Sequence, residues 1–365
     1  MSRRAYVHRI SAAAPDDVSG IEAAIAAGRI DPKGIVAIFG KTEGNGCVND
    51  FARGFATQSL GLMLQRYMSA EAAHAVCLVM SGGTEGGMSP HWTVFERRDT
   101  DETATGAALA IGRTRTPVLP FPALGRVAEV DMVAEGVRAA MADAGIADPA
   151  DVHFVQIKCP LLTLQRIGQA EAMGGTVATR DTLKSMGLSR AASALGVAVA
   201  LGEVSRDAIT DDRIASDWSL WSGRASCSSG IELLDHEIVV IGTSPAWVGP
   251  LTVDHAVMAD GIDVEPVRAA LRRLGFSADG QLAPAERDRL VALLSKAEAS
   301  HDGRLRGNRH TMLDDSDISA TRHARAFVCG ALAGLVGHAE IYVSGGAEHQ
   351  GPDGGGPVAV IAARA

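Results

Sequence analysis

Apolar and polar positions along the chain follow a pattern that recurs three times in the same order. Each copy opens with an amphipathic segment whose apolar residues are spaced three and four apart, which predicts a helix. These segments begin at Val18, Val130 and Ile262. In each copy, Gly or Pro punctuation and then an apolar run typical of a strand follow the helix. The third run, RLVALLSK, fits a helix equally well.

Three kinds of polar residue occupy the same place in every copy. The strand-type runs end on lysines, which are Lys41, Lys158 and Lys296. A second predicted helix carries an arginine near its start, and the three are Arg53, Arg190 and Arg322. Each copy then closes with a strand, a turn of small residues that contains a serine, and another strand; the serines are Ser81, Ser226 and Ser344. A lone residue of any of these types is usually structural, so it is the repeated order that favours a function.

The repeated order predicts an α+β fold built from three similar units of helix, strand, helix and strand-loop-strand. The units span residues 1–105, 106–252 and 253–365. Three units of this kind most simply pack about a pseudo-threefold axis. Lysines at strand ends and serines in loops would then converge near that axis, which would carry the active site.

The composition excludes several classes of protein. With 365 residues the chain can bury a sizeable core without disulfide or metal staples. A net charge of −9, with no basic run longer than a dipeptide, argues against a nucleic-acid partner. Neither a secretory signal nor an apolar stretch of 18 residues is present, so we expect a cytoplasmic protein and no membrane. The five cysteines are widely spaced and are expected to be reduced thiols.

Serine and lysine together can perform nucleophilic catalysis. A serine hydroxyl attacks once a base removes its proton, and a lysine serves as that base when burial or nearby cations lower its pKa. The planar fork of an arginine suits carbonyl oxygens, and loops rich in Gly and Ser can turn backbone N–H groups toward a substrate oxygen. A site built three times around one axis favours a flat ring that alternates hydrogen-bond acceptors with N–H groups.

Other chemistries have weaker support in the sequence. Cys227 could be a thiol nucleophile, but no nearby histidine is implied that would favour the thiolate. The 11 histidines show no H-E-x-x-H or comparable zinc spacing. The glycine-rich segment GPDGGGP has neither the spacing of a phosphate-binding loop nor a helix after it. A zinc amidohydrolase and a nucleotide enzyme are therefore disfavoured.

Long segments across the whole chain carry a resemblance to a known family. They include FGKTEGNGCVNDFARG, VMSGGTEGGMSPHW, SRAASALGVAVALGE and YVSGGAEHQGPDGGGPVAVIA. In these segments the chain resembles the cyanuric acid hydrolase and barbiturase family of cyclic amide hydrolases. The resemblance implies three units around a pseudo-threefold axis with the active site on it, a homotetramer, and no organic cofactor. It also implies ring opening, either of cyanuric acid to carboxybiuret and then biuret and carbon dioxide, or of barbituric acid to ureidomalonate.

The resemblance also assigns roles to individual residues. It pairs the lysines with the serines of the same unit: Lys41 with Ser81, Lys158 with Ser226, and Lys296 with Ser344. The second pair would be catalytic, with Ser226 as the nucleophile and Lys158 as its base. Arg53, Arg190 and Arg322 would bind the substrate, helped by backbone groups beside the serines at Gly82, Cys227 and Gly345.

A structural divalent metal, Mg²⁺ or Ca²⁺, is a further implication of the resemblance. The oxygen ligands would come from the Glu298 carboxylate and from the backbone of the last loop, at Ala347, Gln350, Gly351, Pro352 and Gly355. Carboxylate and carbonyl oxygens suit such a hard cation.

Two alternatives to cyanuric acid hydrolysis stay open at this point. Both ring substrates are flat cyclic imides, so the choice of cyanuric acid rests on overall similarity and on its match to threefold symmetry, and residues around Arg322 would decide it. A protein that binds such a ring without consuming it is the other alternative. The presence of all three lysines and all three serines favours the enzyme.

Overall fold

The computed structural model describes residues 2–364, which form three mixed sheets with helices packed against them. The first part of the chain contains Ser2–Ser11 (β1), Ser19–Ala26 (α1), Ile35–Thr42 (β2), Phe51–Leu64 (α2), Ala70–His74 (α3), Cys77–Gly82 (β3) and His91–Thr100 (β4). Its strands lie in the order β3-β2-β4-β1. The pair β2 and β3 is parallel, and the other neighbours are antiparallel.

The second sheet has the same arrangement. Its elements are Ala108–Arg115 (β5), Val127–Ala144 (α4), Val152–Cys159 (β6), Leu164–Ala172 (α5), Thr182–Ala200 (α6), Ala225–Ser229 (β7) and Glu237–Ser244 (β8). The strand order is β7-β6-β8-β5, with β6 and β7 parallel. A short strand that follows, Trp247–Val248 (β9), pairs with β1 and adds a fifth strand to the first sheet.

The third sheet repeats the arrangement again. Its elements are Leu251–Met258 (β10), Glu265–Arg273 (α7), Pro284–Arg287 (α8), Leu290–Ala297 (β11), Arg304–Leu305 (β12), Asn308–Arg309 (β13), Ala320–Val336 (α9), Tyr342–Gly345 (β14) and Gly356–Ala363 (β15). The order is β14-β11-β15-β10, with β11 and β14 parallel, and β12 and β13 form a separate two-stranded ribbon.

The three sheets share a detail of register as well as their strand order. In each sheet the pairing of the second strand with the fourth shifts just after the second strand begins; the shifts lie at Ile35/Ala37, Val152/Phe154 and Leu290/Ala292. Such bulges bend a strand and increase its twist. The helices predicted at Val18, Val130 and Ile262 and the later arginine-bearing helices are present, and RLVALLSK forms a strand.

Two features of the predicted unit differ from the structure. A strand that the sequence pattern did not indicate precedes the opening helix each time, as β1, β5 and β10. Most of β1 is only partly buried, so arginines and histidines interrupt the apolar alternation that would have revealed it. The boundary placed between residues 252 and 253 falls inside β10, and the loop between the second and third sheets lies at Gly249 and Pro250.

All three sheets contribute to one central core. Phe39 of β2 packs against Phe95 of β4, with ring centroids 4.6 Å apart, and against Tyr342 of β14 at 5.7 Å. Burial of an aromatic side chain of this size contributes about 1.5–3 kcal/mol. On the other face of the first sheet, Ile21 of α1 and Leu60 of α2 belong to a separate apolar cluster. Within residues 2–364 no helix is both long and apolar enough to cross a membrane.

Candidate active site

The three lysines predicted from the sequence occupy equivalent places, near the end of the second strand of each sheet. All three are buried. A neighbouring parallel strand places a serine opposite each of them: Ser81 opposite Lys41, Ser228 opposite Lys158, and Ser344 opposite Lys296. Neighbouring strands lie about 4.8 Å apart, so each serine lies beside its lysine.

The predicted pairing of Lys158 with Ser226 is wrong by two residues. Ser226 lies opposite Gln156 on β6, and its hydroxyl donates a hydrogen bond to Gln156 Oε1 at 2.8 Å. Because a strand advances about 3.3 Å per residue, the register separates Ser226 from Lys158 by about 7 Å along the strand. The second lysine is therefore paired with Ser228.

Cys227, which was predicted to contribute backbone beside the nucleophile, is engaged elsewhere. Its thiol is buried in the central core, where burial raises the pKa of the thiol well above its usual value and makes it unreactive. Its amide donates to Gln350 Oε1 at 2.6 Å, and its carbonyl accepts a hydrogen bond from Lys296 Nζ at 2.8 Å. Ser229 holds the place that Gly82 and Gly345 hold in the other two loops.

A sequence signal that identifies the equivalent serines was available. The three loops read SGGTE from Ser81, SSGIE from Ser228 and SGGAE from Ser344. Each has a serine, a small residue, a glycine, any residue and then a glutamate. Alignment on that glutamate gives Ser228, two residues after the predicted Ser226.

The three serines meet at one cavity. Ser228 Oγ lies 2.8 Å from Ser344 Oγ, and Ser81 lines the same space. The other lining residues are Gly46, Arg53, Met80, Gly82, Met186, Arg190, Ser229, Arg325 and Gly345. A cleft of about 530 Å³ shares several of these residues and includes the exposed Leu183, so it connects the cavity to the surface.

An arginine from each of three helices reaches the cavity. Arg53 of α2 and Arg190 of α6 are two of them. The third is Arg325 of α9, whose side chain is 4% exposed, and the prediction of Arg322 is wrong. Arg322 lies one turn earlier on α9, is 36% exposed, and does not line the cavity. Both arginines contact the carboxylate of Glu85.

The glutamates that end the serine loops are functional candidates that the sequence analysis missed. Glu348 accepts two hydrogen bonds from Arg190, at 2.8 Å from Nε and 2.6 Å from Nη2. Glu85 accepts two from Arg325 in the same way. The third, Glu232, lies 2.8 Å from Lys158 Nζ. Each glutamate therefore pairs with a buried or half-buried cation, and two of these cations, Arg190 and Arg325, line the cavity.

Burial lowers the pKa of all three lysines. The pKa of Lys41 is well below its ordinary value, and burial brings the pKa of Lys296 to about 7. Burial also lowers the pKa of Lys158, although Glu232 opposes the shift. A lysine in such surroundings is available in its neutral form, which can accept a proton.

The residues predicted to bind a metal lie at the loop between β14 and β15. Glu298 Oε1 accepts a hydrogen bond from the Ala299 amide at 3.0 Å, and its Oε2 accepts one from the Ala347 amide at 3.2 Å. Burial, together with the charge of Glu348, raises the pKa of Glu298. The other predicted ligand positions all lie in this loop, at Gln350, Gly351, Pro352 and Gly355.

One cluster of metal-ligand residue types lies elsewhere in residues 2–364. It consists of His153, Asp254 and His255, on β6 and β10. None of the three lines the serine cavity. The serine cavity is therefore lined by serines and arginines, and a buried lysine lies opposite each of its serines.

Comparisons with known proteins agree with one another. The family described as amidohydrolase ring-opening protein matches residues 6–363. A cyanuric acid amidohydrolase from Azorhizobium caulinodans is 68% identical over 360 residues, which are 99% of this chain and 98% of the relative. The crystal structure of the cyanuric acid hydrolase from A. caulinodans matches with a TM-score of 0.93 at 67% identity, over 99% of each chain.

A second solved cyanuric acid hydrolase, described as an evolutionary innovation by structural concatenation, matches with a TM-score of 0.94. It is 48% identical, and the match covers 100% of each chain. The matches thus extend over almost the whole sequence and include the loops that form the cavity. This chain belongs to the family of ring-opening amidohydrolases.

Proposed function

We propose that this protein hydrolyses cyanuric acid. The observation that carries the proposal is the convergence of three serines and three arginines on one cavity, with a buried lysine opposite each serine on the neighbouring strand. The identity of 68% to a cyanuric acid amidohydrolase supports the choice of substrate. Cyanuric acid is a flat ring with three carbonyls alternating with three N–H groups, so three equivalent sets of residues match it.

The threefold character of the site follows from three units that we propose are related by a pseudo-threefold axis through the cavity. Their boundaries would lie near residues 105 and 250. The shared strand order, the shared bulge and the shared serine loops support this arrangement. So does the description of one solved relative as a structural concatenation. Each unit would hold one ring carbonyl with its arginine and its serine.

The first chemical step is nucleophilic attack by Ser228, with Lys158 as the base. Neutral Lys158 Nζ removes the proton from Ser228 Oγ as that oxygen attacks a ring carbonyl carbon. The carbonyl electron pair moves to oxygen, where backbone N–H groups of the serine loops and the arginine forks stabilise the negative charge. The bound ring replaces the contact between the hydroxyls of Ser228 and Ser344.

Ring opening and hydrolysis complete the reaction. Collapse of the tetrahedral intermediate breaks one ring C–N bond, and the departing nitrogen takes the proton from Lys158. The opened chain stays on Ser228 as a carbamate ester. A water molecule, deprotonated by Lys158, then releases carboxybiuret and regenerates the serine. Carboxybiuret loses carbon dioxide to give biuret.

A direct assay tests the substrate. Purified protein is incubated separately with cyanuric acid and with barbituric acid, and the ultraviolet absorbance of each ring is followed. We expect loss of cyanuric acid only, because barbituric acid replaces one N–H by CH₂ and breaks the threefold match. Loss of barbituric acid alone would show that barbituric acid, and not cyanuric acid, is the substrate. Tight binding of either ring without turnover would instead favour a ring-binding protein.

We also propose a structural divalent cation, Mg²⁺ or Ca²⁺, at the last loop. The residues fit such an ion because Glu298 is a partly buried carboxylate whose pKa is raised by burial and by the neighbouring Glu348, and a cation would offset both effects. The backbone oxygens would come from Ala347, Gln350, Gly351, Pro352 and Gly355. The ion would hold the loop that follows Ser344 and would supply no step of the ring opening.

Removal of the metal is expected to lower stability. Chelation with EDTA should lower the melting temperature by about 3–4 °C, since a ligand at 100 times its dissociation constant contributes about 2.7 kcal/mol. Differential scanning fluorimetry measures the change, and Mg²⁺ or Ca²⁺ should restore the original value. The matched variant Glu298→Gln should melt at the lower temperature with or without EDTA. A melting temperature unaffected by chelation of the unmodified protein would contradict the site.

The family resemblance further leads us to propose a cytoplasmic homotetramer without an organic cofactor. Large apolar side chains on one face of α2 support contact between copies of the chain. Phe51 is 83% exposed, and Phe55 and Leu62 lie on the same side of the helix and are about half exposed.

A further inference from the structure

The three lysines opposite the cavity serines differ in what their amino groups touch. Two contact the serine of their own pair, with Lys41 Nζ 3.2 Å from Ser81 Oγ and Lys296 Nζ 3.1 Å from Ser344 Oγ. Lys158 Nζ instead lies 2.8 Å from Glu232 Oε1 and donates to the Met80 carbonyl at 2.6 Å. Among the ion pairs of residues 2–364, Lys158 alone of the three lysines contacts a carboxylate.

The difference arises from the arginine beside each glutamate. Arg190 and Arg325 each donate two hydrogen bonds to the glutamate they face. The guanidinium of Arg53 instead donates hydrogen bonds to backbone carbonyls, to that of Cys47 at 2.6 Å and to that of Ser229 at 3.1 Å. Both carboxylate oxygens of Glu232 are buried and accept no hydrogen bond within the described chain, so the ion pair of Oε1 with Lys158 Nζ is the polar contact that this carboxylate makes there.

The Glu232 carboxylate keeps its negative charge although it is buried. Burial alone would raise the pKa of Glu232, but Lys158 and Arg53 bring the pKa below its usual value. The carboxylate is therefore ionised at neutral pH and lies against the amino group that would receive a proton from Ser228.

The other two lysines have surroundings that oppose protonation more strongly. After burial, the largest influence on the pKa of Lys41 is the positive charge of Arg325, and for the pKa of Lys296 it is that of Arg190. For Lys158 the largest influence after burial is the negative charge of Glu232, which raises the pKa more than the positive charge of Arg53 lowers it. Of the three lysines, Lys158 is thus the one whose surroundings best stabilise an ammonium ion.

We propose that Glu232 is a positioning residue that orients Lys158 Nζ and stabilises the ammonium formed when Lys158 takes the proton of Ser228. This inference rests on the proposed function. The proton moves from Ser228 Oγ to Lys158 Nζ and then to the leaving ring nitrogen, and Glu232 stays ionised throughout. The carboxylate plays the part that the aspartate plays toward histidine in a Ser-His-Asp triad. It also explains why one of three similar pairs would react.

The variant Glu232→Gln tests the role of the charge, because glutamine keeps the size and removes the negative charge. We expect kcat for cyanuric acid to fall about 100-fold while KM changes less than about threefold. The acidic limb of the kcat profile should move to lower pH, since Lys158 without its carboxylate has a lower pKa and stays neutral at lower pH.

Glu348→Gln is the matched control. It removes the charge of the equivalent glutamate, whose partner is Arg190 and not a lysine. We expect it to raise KM and to leave the acidic limb in place. A Glu232→Gln protein with unchanged kcat and pH profile would overturn the inference, as would an equal shift of the limb in Glu348→Gln.

Two further variants keep the test decisive. If Glu232→Gln does not fold, Glu232→Asp replaces it: the shorter side chain withdraws the carboxylate from Lys158, so kcat should fall at least about tenfold, and an unchanged kcat would overturn the inference. Ser228→Ala separates this inference from the proposed function. Turnover that survives in Ser228→Ala would refute the proposed dyad itself, and with it the role of Glu232. Turnover lost there but unaffected in Glu232→Gln would refute only the inference.

Discussion

Replacement of Ser228 by alanine is expected to reduce kcat for cyanuric acid by at least about 10⁴-fold, since removal of a serine nucleophile leaves only the stabilisation that the rest of the site provides. Ser228 lies opposite Lys158 and lines the cavity, so no other hydroxyl can take its place without a change of dyad. The measurement is the steady-state rate of ring loss, with binding of cyanuric acid to the variant measured by calorimetry.

Ser226→Ala is the matched control on the same strand. Within residues 2–364 its hydroxyl hydrogen-bonds to Gln156 alone, so we expect a rate within about threefold of the unmodified protein and a small loss of stability, of about 1 kcal/mol. Inactivity of Ser226→Ala together with an active Ser228→Ala would contradict the assignment. Strong loss of kcat in Ser81→Ala alone would move the dyad to the first unit, where Lys41 already contacts that serine.

Replacement of Arg325 by alanine is expected to lower kcat/KM by about 100-fold. A hydrogen bond from a charged group contributes about 1.5–3 kcal/mol, and the variant also leaves Glu85 without its main partner at the cavity. Arg325→Lys should recover little of the activity, because an ammonium cannot reproduce the two-point contact of a guanidinium. Steady-state kinetics with cyanuric acid gives both values.

Arg322→Ala is the matched control, because it removes an arginine from the same helix at a position that does not line the cavity. The side chain is 36% exposed and contacts Glu85 from outside the cavity, so kcat/KM should stay within about threefold. A larger loss of kcat/KM in Arg322→Ala than in Arg325→Ala would show that Arg322, as predicted from the sequence, is the arginine that binds the substrate.

The sequence predicted most strands and six of the nine helices found in residues 2–364, because each of these carries a regular apolar period, and it missed the short helices α3, α5 and α8. The strands β1, β5 and β10 were missed, and in β1 the apolar period is weak. In β1, for example, Arg3, Arg4, His8 and Arg9 lie in a strand most of whose residues are only partly buried. Its place in the sheet is fixed by pairing with β4 along its whole length, which is a contact between residues far apart in the chain.

The two errors in the site have the same physical origin. Ser226 and Ser228 point to the same face of β7, because side chains alternate with a period of two, and only the register with β6 distinguishes them. Arg322 and Arg325 lie three residues apart on α9 and thus share a helix face. Periodicity identified the correct face each time, but the position along the element depends on tertiary pairing.

The glutamates were missed for a related reason. Glu85, Glu232 and Glu348 acquire their roles from cations that are distant in sequence, and no local pattern marks a carboxylate that will meet them. The lysines were easier to identify because a charged residue at the end of a buried apolar run is unusual in itself.

The arginine–glutamate pairs link early and late parts of the chain, which constrains how the protein can mature on the ribosome. Glu85 emerges long before Arg325, and Arg190 emerges long before Glu348, so partly made chains hold these charges without their partners. The strand β9 likewise completes the first sheet only after two thirds of the chain has been translated. A nascent chain can therefore fold its first helices early, yet ring-opening activity should be absent from every prematurely terminated product that lacks the last serine loop.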